Sequence, residues 1–480
     1  MYKNIFQLFV ILVTLAFTAC KKNLAEINRN PNAVEDPQPD YLLTAAEKTA
    51  ADTYWGADNN FNSSLLIIQH WAKIQYTEPD RYIFSNSSFT SLWNTSYAQV
   101  ITNLNTIIQF PDGKANANYK AVATILRSWI FQLLTDAYGA IPYKESGKIK
   151  ETLTPVYDAQ KEVYFGLLDE LKAAAATLNT ASGAIAGDVL YGGNPDSWKK
   201  FAGALRLRIA LRIADREPGK AKEVISEVTA DPSLLISSNG ETAQLGYDKP
   251  PLQNPVAAWF STRDDYRVGK TIIDQLYALN DPRLAAFADK PTDPSVTRYV
   301  GVPSGLTNSD ANNLGFAKTS KPGLTFFRSD ADPAVIINYA EVLFAKAEAV
   351  ARGLLSGNAA DLYRQAITAS LNQYQITDNT VINAYLNQAA VAYNPANYKK
   401  SIGEQKWIAL YGQGLEAFAE WRRLDYPQLV PGVSGVLDGK IPVRFIYPGT
   451  EQSLNGTNYK AAVAAQGTDD LLTRLWFDVK

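Results

Sequence analysis

The sequence predicts a mainly α-helical protein, in which helical hairpins form a rigid scaffold and a loop-rich, irregular part packs on one side. Three observations carry this. Apolar residues recur at helical spacing through 91–231 and again through 333–424. Several of the helical stretches follow one another closely, so that consecutive helices form hairpins. Gly, Pro, Asn and Asp gather in 52–90, 232–334 and 425–480, where helical periodicity fails.

At the N-terminus, Lys3 gives a positive start and Ile5 to Phe17 an apolar stretch too short to span a bilayer. Thr18 and Ala19 then precede Cys20, the only cysteine in the chain. This run resembles a bacterial lipoprotein signal, cleaved just before a cysteine that becomes the lipid-carrying N-terminus. Residues 1–19 are thus expected to be a signal peptide, with Cys20 acylated, palmitate included. Loss of Lys3 with the leader takes the formal net charge from −2 to −3. Residues 20–39, polar and rich in Asn and Pro, suit an extended tether, and 40–480 form the body.

Within the body, the segment 54–82 mixes Tyr54, Trp55, Trp71, Tyr76 and Tyr82 with Asn59, Asn60, Gln75, Glu78 and Arg81. A sugar site uses this mixture: aromatic faces stack on the C–H side of a pyranose, while amide and guanidinium groups bond its hydroxyls. The next helices pair 119–139 with 163–178, then 196–216 with 220–231. Arg208, Arg212 and Arg216 form a basic stripe on the third, expected to be solvated or paired with carboxylates. Segment 253–268 brings Trp259, Arg263, Asp265 and Tyr266 as a second side of the same site. Asp332 as N-cap, Pro333 at the first position and Gly353 as C-cap bound a helix carrying Ile336, Ala340, Leu343, Ala347 and Val350. A partner helix bears Tyr363, Ile367, Leu371 and Tyr374. In 405–427, Trp407, Tyr411, Leu415, Phe418 and Trp421 form a core face, with Gly412 and Gly414 inside the helix where another backbone comes close. Glu420–Arg423 and Glu348–Arg352 are spaced to pair on helix surfaces. Arg444 to Tyr447 reads as a short strand.

Composition excludes several classes. With 46 Lys+Arg against 48 Asp+Glu, no basic surface for nucleic acid is expected. One cysteine and one histidine, His70, allow no intrachain disulfide and no Cys/His zinc site, and no cofactor or metal is implied. His70 is expected to be a hydrogen-bonded structural residue. Carboxylates are the remaining candidates for catalysis, with Asp136, Asp264 and Asp265 available but no pair marked.

The helical pairs resemble tetratricopeptide units at irregular spacing. An ordered set of segments resembles the SusD/RagB family, its SusD-like branch in particular. These are INRNPNAV after the cysteine, LWNTSYAQVITNLN at 92–105, LLTDAYGAIPY at 133–143 and SWKKFAGALRLRIALRIA at 197–214. NDPRLAAF at 280–287, INYAEVLFAKAEAVARG at 337–353 and QKWIALYGQGLEAFAEWRRLDYP at 405–427 complete it. The resemblance implies a SusD-like α–α superhelix and an outer-membrane lipoprotein of Bacteroidetes. It also implies a lid on a TonB-dependent, SusC-like transporter, and a protein that binds glycans or peptides without acting on them as an enzyme. Display on the outer face is expected. Lys21 and Lys22, however, stand where members often carry acidic export residues, which leaves the face open. The ligand-binding residues expected on the residue pattern are Trp55, Asn59, Trp71, Gln75, Tyr76, Arg81, Tyr82, Trp259, Arg263 and Tyr266. The competing readings are a helical glycoside hydrolase with paired carboxylates and a helical-repeat scaffold that binds only proteins. Exposed aromatics on a shallow face would favour the glycan binder.

Overall fold

Helix α1 (Pro39–Trp55) is the first element of the computed structural model, which describes residues 36–148 and 150–479. The expected signal peptide, Cys20 and most of the expected tether lie outside the described residues. Four helices then build two hairpins: α2 (Ala117–Tyr138) against α3 (Gln160–Thr177), and α4 (Pro195–Ile213) against α5 (Pro218–Ala230). Their starts are set by side-chain caps. Asn116 accepts from the Tyr119 amide, and Asn194 accepts from the amides of Asp196 and Ser197 with Pro195 in the first position. Helix α2 ends where Gly139 takes φ 89°, a left-handed conformation open to glycine.

After the short helix α6 (Pro255–Phe260), the second helical block contains α7 (Tyr339–Ala351), α8 (Ala359–Gln373), α9 (Tyr398–Ala409) and α10 (Gly414–Leu424). Helices α7 and α8 pack as a hairpin, with Tyr363, Ile367 and Leu371 buried between helices. The predicted start of α7 is corrected. Ala334–Ile337 is a β-strand, and Asn338 rather than Asp332 caps the helix by accepting from the Glu341 amide at 2.8 Å. The apolar run AVII is buried throughout, so it satisfies strand pairing as readily as a helix face. The predicted single helix over 405–427 is two helices. Gly412, at φ 89°, breaks the chain between α9 and α10. Arg444 to Tyr447 is not a strand: the Phe445 amide bonds the Ala137 carbonyl and Arg444 bonds the Tyr138 carbonyl, so this segment caps the end of α2.

The strands form two small antiparallel ribbons. Strand β1 (Trp71–Lys73) pairs with β3 (Tyr266–Val268), matching Trp71 to Val268 and Lys73 to Tyr266. Strand β2 (Ala243–Leu245) pairs with β4 (Ala334–Ile337). Of the arginine stripe, Arg208 and Arg212 are buried and paired with carboxylates, whereas Arg216, just past the end of α4, is exposed and donates to the Trp476 carbonyl at 2.8 Å. Arg208 donates to Glu341 at 2.7 Å, and Arg212 reaches Glu416 at 2.7 Å, Asp136 at 3.0 Å and Glu420. Glu420 also takes Lys406 at 2.7 Å and Arg423 at 2.6 Å, and Arg423 continues to Glu348. One ionic network thus ties α2, α4, α7, α9 and α10 together. Burial alone would raise the Glu420 carboxyl, but Arg423, Lys406 and Arg212 hold it well below the ordinary carboxylate range.

Among the described residues, no helix is long and apolar enough to cross a membrane.

Candidate functional site

The β1–β3 ribbon joins the two segments that carry the aromatic and amide residues. It stands beside α6, whose start is fixed by Asn254. The Asn254 side chain accepts from the Val256 amide at 2.7 Å and donates to the Asp332 carbonyl at 2.8 Å. Six residues of helix place Trp259 and Phe260 at its C-terminal end. The chain then turns through Arg263 into β3, while β1 runs out into Tyr76, at φ 55°.

Tyr76, Arg263 and Trp259 come together there. The Arg263 guanidinium lies 5.2 Å from the Tyr76 ring centre and 4.8 Å from that of Trp259. Both distances are within cation–π range, so the arginine bridges two rings. Asp265 fixes it from behind, accepting from Nε at 3.1 Å and from Nη2 at 2.9 Å. These bonds raise the pKa of Arg263 above its ordinary value and keep it charged. Among the described residues Nη1 has no protein partner, so a donor pair remains for a ligand. Tyr76 is 56% exposed, Trp259 is half-buried and Gln75 beside them is half-buried. Together they make an open patch rather than a deep cleft.

Beneath the patch is a packed aromatic bed. Phe61 meets Trp259 edge-on at 5.5 Å and Tyr266 at 5.1 Å. Lys73 lies 4.5 Å above the Tyr266 ring and 3.6 Å from Asp265. Burial pulls the Lys73 pKa below its ordinary value, and Asp265 partly opposes that shift. Neither Phe61 nor Lys73 was singled out from the sequence. A lysine inside the apolar run LLIIQHWAKI was the available signal, since such a charge needs a partner.

The structure takes five of the ten predicted site residues into the interior. Trp55, Asn59, Trp71, Tyr82 and Tyr266 are each 4% exposed or less. Trp55 donates to the Val335 carbonyl at 3.0 Å, and Trp71 donates to the Tyr411 hydroxyl at 3.0 Å. Asn59 donates to the Thr53 carbonyl, and Tyr266 bonds Asn62 at 2.8 Å. Tyr82 packs under the Gly432 backbone, whose amide it accepts at 3.4 Å. Arg81, half-buried, holds the Ser434 carbonyl at 3.1 Å. The apolar halves of amphipathic aromatics decide this: at helical or strand spacing they are drawn into the core. His70 is buried as expected, with Nε2 3.0 Å from the Trp407 carbonyl, and burial lowers its pKa to about 3.

The carboxylates considered for catalysis are engaged with cations. Asp136 sits inside with Arg212, Asp265 with Arg263, and Asp264 with Arg267 at 2.8 Å and Lys321 at 2.9 Å. Burial raises Asp264, but those two cations bring its pKa below the ordinary value. Among the described residues no group of three His, Cys, Asp or Glu side chains is placed to hold a metal ion.

Comparison with known proteins places this architecture. A solved chitin-binding protein is 28% identical with a TM-score of 0.83, over 92% of this chain and 100% of its own. A SusD homologue from Bacteroides uniformis is 28% identical with a TM-score of 0.80 over the same shares. A chitin-binding SusD homologue from Flavobacterium johnsoniae shares the fold at 24% identity, with a TM-score of 0.81 over 91% of this chain and 99% of its own. No curated protein matches the sequence. The family model described as "Starch-binding associating with outer membrane" matches residues 31–448. The chain therefore belongs to the SusD-like family.

Proposed function

We propose that this protein is a cell-envelope glycan-binding lipoprotein that holds an oligosaccharide without cleaving it and hands it to a TonB-dependent, SusC-like outer-membrane transporter. The observation that carries the reading is the exposed Tyr76–Arg263–Trp259 stack, with Gln75 beside it. A pyranose laid on the Tyr76 and Trp259 faces would bury its C–H side, and the free edge of Arg263 would bond a hydroxyl or an acetamido carbonyl. Two similar structures are of chitin-binding proteins, which makes chitin oligosaccharides the first ligands to test.

At the Tyr76 patch the electrostatics favour binding over hydrolysis. A glycosidase needs one carboxyl kept protonated beside an ionised one, and burial with few cations is the usual way to obtain it. Asp264 is instead held ionised by Arg267 and Lys321, and Asp265 is locked by Arg263. Cys20 would carry the lipid and 20–39 the tether, placing the body at the outer membrane with its patch facing the cargo.

The test is retention on insoluble chitin and starch together with analysis of soluble products after long incubation. The reading predicts retention and no release of shorter oligosaccharides. Release of shorter chains by purified protein would overturn it.

A further inference from the structure

A partly open cavity lies apart from the Tyr76 patch, and none of Tyr76, Trp259 and Arg263 lines it. This cavity of about 500 Å³ is bounded by Trp55 at the end of α1, by the β4 edge, by the C-terminal end of α8 and by the break between α9 and α10. Its volume is in the range of small-molecule sites. The lining chemistry is unusual. Six side-chain amides surround it: Asn239, Gln244, Asn372, Gln373, Gln375 and Gln413. Thr242 and Thr325 add hydroxyls, and Phe326 and Tyr374, edge to face at 5.4 Å, add an aromatic wall. Asp332 is the one lining side chain charged at neutral pH, and it already accepts from the Ser329 amide at 2.8 Å.

Three of the six amides keep an oxygen without a partner among the described residues. Asn239 Oδ1, Gln373 Oε1 and Gln413 Oε1 are sealed from solvent without a hydrogen-bond partner. Gln413 is only 2% exposed, and Asn239 is oriented by its Nδ2, which donates to the Ala369 carbonyl at 2.9 Å. Leaving such a group unmade costs about 1–3 kcal/mol. Three around one cavity point to donors supplied from outside the chain. The backbone is also held in special conformations here. Gln375 sits at φ 61°, and at Gly412 an added Cβ would come within 2.9 Å of Phe327 and 3.2 Å of Trp55.

We propose that this cavity is a second binding site, for a small, neutral, polyhydroxylated ring compound such as a mono- or disaccharide. Its hydroxyl groups would donate to the amide oxygens, reached by small rotations of the amide side chains, and its ring would lie along Phe326 and Tyr374. An anion is disfavoured because no Lys or Arg lines the space, and a metal cation because only one carboxylate does. An apolar ligand would leave the amides unpaired. The proposal rests on the cavity alone and stands whether or not the Tyr76 patch binds glycan.

The experiment is calorimetric titration of the intact protein with maltose, cellobiose and N,N′-diacetylchitobiose, and with triglycine as the neutral-peptide control. Three forms are compared: the native sequence, a W259A/R263A double variant and N372W. Asn372 is exposed at the rim, so a tryptophan there closes the entrance without disturbing the core. Gln413→Leu, read against an unchanged circular dichroism spectrum, checks the polar contact itself. We expect at least one disaccharide to bind W259A/R263A with affinity close to native, and N372W to weaken that component at least tenfold. Residual binding that N372W leaves unchanged, no sugar binding in W259A/R263A, or triglycine bound in place of every sugar would each overturn the proposal. Failure of the Tyr76 reading looks different: native and W259A/R263A would then bind every probe alike.

Discussion

Trp259 and Trp71 belong to the same aromatic bed and have opposite prospects as single residues. Trp71 is fully buried and its indole bonds Tyr411, so Trp71→Ala should cost about 3–5 kcal/mol in denaturant unfolding. Trp259 is half-buried at the rim, and Trp259→Ala should cost under about 2 kcal/mol. That variant should still weaken oligosaccharide affinity about tenfold, which glycan titration reads directly. A second residue-scale prediction concerns His70. Its folded pKa, about 3, lies below its unfolded value, so the folded state keeps it neutral. The stability this contributes is complete above about pH 6.5 and is lost as pH falls toward 3, by up to about 1.4 kcal/mol per pH unit. Asp80 and Asp332, raised to about 6 chiefly by burial, act with the opposite sign, adding stability as pH falls below 6. The comparison of native protein with His70→Gln isolates the histidine: the variant should lose less stability between pH 6 and 4. Equal slopes would contradict its buried neutral state. The sequence identified His70 as structural, and Tyr76, Trp259 and Arg263 as candidates. It could not say that Trp55 or Tyr82 would be drawn inside, because an amphipathic ring serves core and surface equally well and the deciding neighbours, Val335 and Gly432, are hundreds of residues away.

At the scale of elements, the hairpins α2–α3, α4–α5 and α7–α8 were legible because their apolar residues recur at helical spacing, with Gly353 marking the end of α7. Two boundaries were not legible. AVII before α7 is apolar at every position, so periodicity does not distinguish a buried strand from a helix face. The break at Gly412 is a tertiary matter: Trp55 and Phe327 press on it from one side, while Gly414 must clear Asn60 Oδ1, only 2.4 Å from where its Cβ would be. Gly412→Ala should therefore lose at least about 2 kcal/mol, from the left-handed backbone and the crowding together. Gly353, at φ 70° with open space around it, should lose about 1 kcal/mol in the same replacement. Equal losses in thermal unfolding would show that crowding at the α9–α10 junction is unimportant. The ionic network was foreseen as local pairs, Glu420–Arg423 and Glu348–Arg352. Its joining into one buried system needed the packing of five helices, which local spacing does not encode.

For the whole molecule, the division of labour follows from these parts. The hairpins and the buried ionic network make a frame, and the loop-rich segments carry the Tyr76 patch on it. Family membership was readable from ordered motifs spread along the chain, whereas the ligand was not, because no motif in the loop-rich segments marks it. The proposed lipid anchor belongs to this scale as well. In cells, Cys20→Ala should move the protein from the membrane to the soluble fraction, as fractionation would show, and an unchanged distribution would contradict anchoring at that residue. The most direct test of the account is a crystal structure of the protein grown with chitin tetrasaccharide. The account predicts an intact oligosaccharide with a ring on the Tyr76 and Trp259 faces and a polar atom bonded to Arg263. A patch left bare at saturating sugar, or a shortened sugar lying between two carboxylates, would contradict it.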